Sequence, residues 1–256
     1  MAHVCFFGDV HLGCGSRAEQ RRRAELLTTF LLCLPSRYSH VVIIGDLFDF
    51  WFDYRTVIPK LFWDTVAALG TLRRRGVSID YIVGNHDFGH WRFFKEELGI
   101  EPKREGVQCL WNGRRFYIAH GDGTMPEDWG YRLLRSLLHS RWAQSLYRLL
   151  HPDIGIQLAQ WASRASRQHT ALPPQRLIAS LEAFAAQKLA EGYDVVVLGH
   201  SHYPVLKELG NGWYVNPGGW LTEEPLFASF DGGHLELVSV RRFLAAIGAN
   251  PPASCS

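Results

Sequence analysis

Apolar and polar positions over the first 120 residues fall into two alternating patterns. Short runs rich in β-branched and aromatic residues, "HVCFFG", "HVVIIG", "VSIDYIVG" and "RRFYIAHG", predict strands. A basic amphipathic stretch around 18–34 and the segment "KLFWDTVAALGTLRRRG" separate the first three and predict helices. A short helix near 91–98 precedes the fourth strand. Strands alternating with helices predict an α/β layered fold.

The pattern changes at about residue 124. From there to about 190 the chain predicts helices and no strand: "EDWGYRLLRSLLHSRWAQSLYRLLH", "IGIQLAQWASRASR" and "PPQRLIASLEAFAAQKLAEG". The last of these opens on prolines and ends on glycine, as a helix does. Strands resume at "DVVVLGH" and continue as "YPVLKEL", "GWYVNPG", "LFASFDG" and "HLELVSV". This reads as a single domain over 1–243, interrupted by a helical insertion at about 124–190, with residues 244–256 as a disordered tail.

Composition narrows the class. Apolar residues are 47% and charged residues 20% of the 256, which excludes a disordered chain. The formal net charge of +2 selects no partner. Five cysteines (Cys5, Cys14, Cys33, Cys109 and Cys255) form no C-x-x-C pair, so a disulfide framework or zinc knuckle is not expected and a reducing compartment is. The N-terminus lacks the basic and apolar regions of a signal peptide. The longest apolar stretch, "LLTTFLLCLP", is short of the ~20 residues that span a bilayer. A cytoplasmic protein is expected.

Five strands end in the same kind of chemistry. "VCFFGDVH" ends in Asp9 and His11, "VVIIGD" in Asp46, and "YIVGN" in Asn85, followed by His86 and Asp87. "FYIAHGD" ends in His120 and "VVVLGHSH" in His200 and His202. One D-x-H turn is ordinary surface, but five such ends in order predict convergence beyond the carboxyl edge of a sheet. Carboxylate, amide oxygen and imidazole without thiolate suit Mn²⁺, Fe, Zn²⁺ or Mg²⁺. The counts fit two ions: Asp9, His11 and His202 for one, Asn85, His120 and His200 for the other, and Asp46 as a bridge. Two ions ~3.5–4 Å apart clamp a phosphoryl group and activate water. The other histidines, His90 among them, lack this context and read as structural.

"GDVH", "GDLFD", "GNHD", "HGD" and "GHSH" resemble the five blocks of the calcineurin-like metallophosphoesterase superfamily. The resemblance implies a layered metallophosphoesterase-type β-sandwich flanked by helices, here with a helical cap insertion. It also implies that the residues above ligate two metals with Asp46 bridging, that His86 contacts phosphate and assists the leaving group, and that Asp87 orients His86.

Two further features bear on the substrate. Phe48, Phe50, Trp51, Phe52 and Tyr54 follow directly on Asp46 and read as an apolar wall suited to a lipid chain or a base. Residues 127–176 hold seven arginines against three acidic residues, interleaved with tryptophans and leucines, a pattern of membrane surfaces and anion sites. No basic groove with interleaved aromatics runs along the core, so no nucleic-acid partner is expected.

With "FDFWFDY", "VIPK", "HGDG", "LHPDIGIQLA" and "SRASR", the chain resembles the UDP-2,3-diacylglucosamine diphosphatases of lipid A synthesis over roughly residues 3–232. This implies a metal-bound hydroxide attacking the α-phosphorus, with Mn²⁺ as the metal and UMP and 2,3-diacylglucosamine 1-phosphate as products. It implies substrate contacts from Asn85, His86 and His200, and from Asp128, Tyr131, Ser166 and Arg167 in the cap. It also implies peripheral attachment to the cytoplasmic face of a Gram-negative inner membrane. One position departs: well-known members read G-N-R-D where this chain has His86, and a sister group carries histidine. Another nucleotide or nucleotide-linked lipid phosphoester is therefore the alternative substrate. The oligomeric state is not legible.

Overall fold

Side chains on a strand alternate between its two faces, and here both faces are covered. The computed structural model describes residues 1–87, 89–90, 92–124, 140–159 and 174–249. In β1 (His3–Phe7), Val4 and Phe6 point into one core while Cys5 and Phe7 point into another. In β2 (His40–Ile44), Val42 and Ile44 share the first core, and Val41 and Ile43 the second. This explains why these strands read as unbroken apolar runs.

The first core lies between two sheets. One has six strands in the order β11-β10-β1-β2-β3-β4: β3 is Ser78–Ile82, β4 Pro102–Lys103, β10 Leu226–Asp231 and β11 His234–Ser239. The other has five in the order β5-β6-β7-β9-β8, comprising β5 (Val107–Trp111), β6 (Arg114–Ala119), β7 (Val195–Leu198), β8 (Val205–Leu209) and β9 (Gly212–Asn216). Phe6 stacks on Phe116 across the gap, with centroids 5.9 Å apart. The sequence pattern predicts β6 but not β5; the hairpin between them turns at Asn112 and Gly113, both at positive φ.

Helices cover the outer faces. Helix α1 (Arg17–Cys33) and helix α2 (Trp63–Arg74) bury Leu27, Phe30, Leu31, Leu69 and Leu72 against β1 and β2. Ser16 and Glu19 close a capping box that fixes the start of α1. Helix α3 (Phe93–Leu98) stops at Gly99, whose φ of 64° suits glycine.

Two expected boundaries shift. The helix Pro174–Ala190, counted within the insertion, instead covers the second sheet, with Leu181 and Ala185 buried against Val196, Leu198 and Tyr214. The expected tail from 244 begins too early. The helix Val240–Ala246 buries Phe243 and Leu244 against Phe30 and Phe227, and Ala249 packs beside them. Between β6 and β7 the described residues otherwise form a helix at Arg141–Tyr147 and a helical stretch at 152–159.

Strands β1, β2 and β3 are mutually parallel, as are β6, β7 and β9. Their carboxyl ends, and hence the chemistry read from the sequence, meet at one edge of the sandwich.

Asp80 ties the far half of the first sheet together, accepting from His40 Nε2 on β2 at 2.8 Å and from Lys103 Nζ on β4 at 2.5 Å. These partners lower its pKa from the usual 3.8 to about 2. The carboxylate therefore stabilises the fold above its usual pKa and stops doing so as pH falls through about 2. Asp80→Asn is expected to cost about 1 kcal/mol at pH 7. In denaturant titrations the gap from wild type should close towards pH 2; a gap independent of pH would refute the ionic account.

Candidate metal centre

Among the described residues, six non-glycine positions have positive φ. Five are predicted ligands: Asp9, His11 and Asp46 at 49°, His200 at 70° and His202 at 58°. Left-handed backbone costs a side-chain-bearing residue about 1–2 kcal/mol, so it persists only where surroundings hold it. Neighbouring strand ends do the holding. Asp9 N donates to Gly45 O at 3.0 Å, His11 N to Asp46 O at 2.9 Å, and Gly199 N to His120 O at 2.9 Å. Glycines permit the approach: a Cβ on Gly84 would overlap the Asp46 carboxylate.

The predicted ligands converge. Asp9, His11 and His202 offer atoms that all lie within 4.8 Å of one another, as do Asp46, His120 and His200. A third such group joins His11, Asp46 and His86. Asp46 Oδ2 stands 3.3 Å from His120 Nε2 and 3.6 Å from His11 Nε2, between the two sets. Asn85 Oδ1 is 3.1 Å from His120 Nε2.

The electrostatics fit bound cations. Asp9 Oδ1 is buried without a hydrogen-bond partner. Burial pushes the Asp9 pKa up to about 6; His120 and His11 pull against this and Asp46 adds to it. Burial also opposes charge on Asp46 and His120, but each holds the other ionised: Asp46 stands well below its usual range and His120 well above. Burial, then the charge on His120, lowers His200 to about 3. His11 Nε2 and His202 Nε2 face each other at 3.0 Å. A buried carboxylate oxygen without a hydrogen-bond partner and imidazole nitrogens that converge on one place suit divalent ions.

His86 sits beside these groups. Its N–H donates to Asp46 Oδ1 at 2.8 Å, and its ring meets the His11 ring edge-on at 4.8 Å. Asp87, expected to orient it, faces elsewhere: it is fully buried and accepts from Leu47 N at 2.9 Å, Gly84 N at 2.8 Å and Tyr81 Oη at 2.5 Å. The carboxylate beside the His86 ring is Asp49, with Oδ1 3.7 Å from Nδ1 and its main-chain oxygen 3.3 Å from the same atom. Asp49 also lies 3.5 Å from His11 Nδ1. The signal for it was present in the second aspartate of "GDLFD".

His90, read as background, is buried and reaches Tyr81 Oη at 3.2 Å, extending the brace beneath the Asn85–Asp87 turn. The apolar wall is also corrected. Phe48, Trp51 and Phe52 are buried and pack on Phe62, Phe94 and Tyr147, whereas Phe50 and Tyr54 keep some exposure. Phe50 lines a cavity of about 370 Å³ with Leu12, Pro59, Leu61, Phe62 and Ile156. Asp128, Tyr131, Ser166 and Arg167 lie outside the described residues.

A sandwich whose strand ends carry two carboxylate–imidazole sets sharing one aspartate defines a class: the chain belongs to the calcineurin-like phosphoesterases, whose family model matches residues 2–204. It is a metal-dependent hydrolase. Within that class it is similar to proteins named UDP-2,3-diacylglucosamine hydrolase. One from Photorhabdus laumondii is 35% identical over 208 residues, 80% of this chain and 83% of the relative. One from Escherichia coli O6:H1 is 29% identical over 224 residues, covering 85% and 91%. One from Porphyromonas gingivalis is 31% identical over 170 residues, 64% of this chain and 63% of that relative's length. Among solved structures, an archaeal phosphodiesterase matches with a TM-score of 0.46 and 14% identity, over 93% of this chain and 99% of that one.

Because a methyl at Gly84 would meet both the carboxylate and the main-chain nitrogen of Asp46, Gly84→Ala is expected to lower kcat/KM for bis(p-nitrophenyl) phosphate by about 10²-fold or more and to lower the melting temperature as well. Wild-type turnover in a folded variant would mean the two positions are not locked.

Proposed function

We propose that the chain hydrolyses the pyrophosphate of UDP-2,3-diacylglucosamine to UMP and 2,3-diacylglucosamine 1-phosphate, using two divalent ions, Mn²⁺ being the metal assigned. Asp9, His11 and His202 would hold one ion and Asn85, His120 and His200 the other, with Asp46 shared. The observation that carries this reading is the position of Asp46, within reach of both histidine sets. The substrate follows from the similarity to the Photorhabdus protein.

When bound, two such ions polarise phosphoryl oxygens and lower the pKa of water. The chain's own groups do the rest. His86 turns Nδ1 to Asp49, which holds a proton there, and addresses the phosphate through Nε2. From there it protonates the departing oxygen of 2,3-diacylglucosamine 1-phosphate. Asn85 and His200 flank the phosphate, with Asp128, Tyr131, Ser166 and Arg167 assigned to the polar groups of the substrate. The cavity beside Phe50, apolar along Leu12, Leu61, Phe62 and Ile156 and rimmed by Asp49, Lys60, Asp153 and Gln157, suits an acyl chain at ~0.8 kcal/mol per methylene buried.

The substrate is a membrane lipid, so the proposed location is peripheral, on the cytoplasmic face of the inner membrane of a Gram-negative bacterium. Among the described residues no helix is long and apolar enough to cross a membrane. Trp63, Trp142 and Leu149, respectively 62%, 67% and 81% exposed, support a surface-lying mode.

The decisive assay incubates the chain with UDP-2,3-diacylglucosamine and Mn²⁺ and scores UMP. Cleavage of bis(p-nitrophenyl) phosphate without UMP release would remove this substrate and favour another phosphoester. Asp46→Ala and His120→Ala should nearly abolish turnover and lose metal. His86→Ala should lower kcat by about 10²–10⁴-fold with both ions retained. Metal loss in that variant would make His86 a ligand instead. Asp49→Asn should lower kcat with little change in melting temperature, and Asp87→Asn should lower the melting temperature; the reverse pattern would restore Asp87 as the partner of His86.

A further inference from the structure

The turn that carries Asp9 and His11 is built from alternating left-handed residues. Asp9, His11, Gly13 and Gly15 have φ of 49°, 49°, 103° and 90°. Glycine adopts these values freely, but aspartate and histidine do not. On one side the turn is tied to the end of β2, through Asp9 N to Gly45 O, His11 N to Asp46 O and Leu12 N to Leu47 O. On the other side it faces α1, where Arg23 meets the part of the turn that carries His11. Arg23, in the second turn of α1, donates from Nη1 to His11 O at 3.0 Å and to Cys14 O at 3.1 Å. His11 O also accepts from Cys14 N at 3.0 Å, so the arginine closes the turn on itself.

The helix is fixed in place for this task. Its capping box sets where it begins, and Gln20 Nε2 reaches back to Gly15 O at 2.7 Å. Arg23 is half-buried, and its neighbours include the carboxylate of Asp49.

We infer that Arg23 is a positioning residue for the ion assigned to Asp9, His11 and His202: by bridging the His11 and Cys14 carbonyls it holds His11 in the left-handed turn that aims its ring at that ion. This rests on the two-metal reading above. A fixed cation beside a divalent ion repels it, so charge alone would make Arg23 weaken metal binding. Geometry works with the opposite sign: releasing the turn lets His11 relax and costs a ligand. The sign of the effect therefore separates the two. Lysine keeps the charge but lacks the rigid planar fork of arginine.

The experiment titrates Mn²⁺ into the metal-stripped full chain by calorimetry, for wild type, Arg23→Met and Arg23→Lys, with thermal melts of the metal-free proteins alongside. Wild type should take two ions. Arg23→Met should bind one of them at least 10-fold more weakly and the other as wild type does, with Arg23→Lys between. Equal or tighter binding of both ions by Arg23→Met overturns the inference, and so does equal weakening of both, which a general loss of stability would produce. If Arg23→Met does not fold, Arg23→Lys is judged by the same unequal loss. Fewer than two ions on wild type would sink the two-metal reading itself, and this inference with it.

Discussion

Asp46 is a carboxylate at the end of a central strand, 1% exposed, with both oxygens engaged. Oδ1 accepts from His86 N, and Oδ2 faces His120 and His11. A buried charge is tolerated only when opposite charge and hydrogen bonds surround it. That requirement organises the site. His120 comes from the second sheet and His11 from the neighbouring strand of the first, so the charge on Asp46 is met only if the two sheets pack in register. His120 Nδ1 meets Ile44 O at 2.7 Å, which leaves Nε2 for Asp46 and fixes how the ring points. Core packing and site geometry are thus one constraint seen from two sides.

The left-handed turns follow from the same constraint. A strand that simply ended would send its next side chains along the sheet. Reversing φ at the second or fourth residue after the strand folds the side chain over the edge, towards the neighbouring strand end. Several such turns cost several kcal/mol together. One core between the sheets and two beneath the helices, built of buried aromatic and branched residues, offset that cost.

Much of this was legible in the chain. The strand ends could be read because an apolar run followed by G-D, G-N or G-H is visible without coordinates, and all seven predicted ligands come to one edge. What the letters hid was direction. Asp49 and Asp87 are both acidic residues three or fewer positions from a key group, and nothing in the pattern says which turns towards His86. Backbone donors decide it: Leu47 N and Gly84 N, with the Tyr81 hydroxyl, capture Asp87 inside the fold. The aromatic loop misled for a related reason. An irregular segment follows no fixed period, so the neighbours Trp51 and Phe52 both turned inward with Phe48 while Phe50 stayed near the site. The helix Pro174–Ala190 was misplaced because periodicity shows that a helix has an apolar face but not what that face meets.

The departure at residue 86 gains meaning from Asp49. Arginine keeps its charge at any working pH and does not surrender a proton, so in a G-N-R-D chain that position can neutralise phosphate but cannot act as an acid. Histidine can do both, provided the proton on its far nitrogen is held. Asp49 offers a main-chain oxygen and a carboxylate to that nitrogen, and the same carboxylate lies beside His11. A substitution from arginine to histidine at this position thus exchanges a fixed charge for a proton donor, in surroundings already shaped to orient an imidazole. On the proposed reading, charge neutralisation at the phosphate would fall more heavily on the metal ions, while departure of the leaving group would gain a side chain able to protonate it.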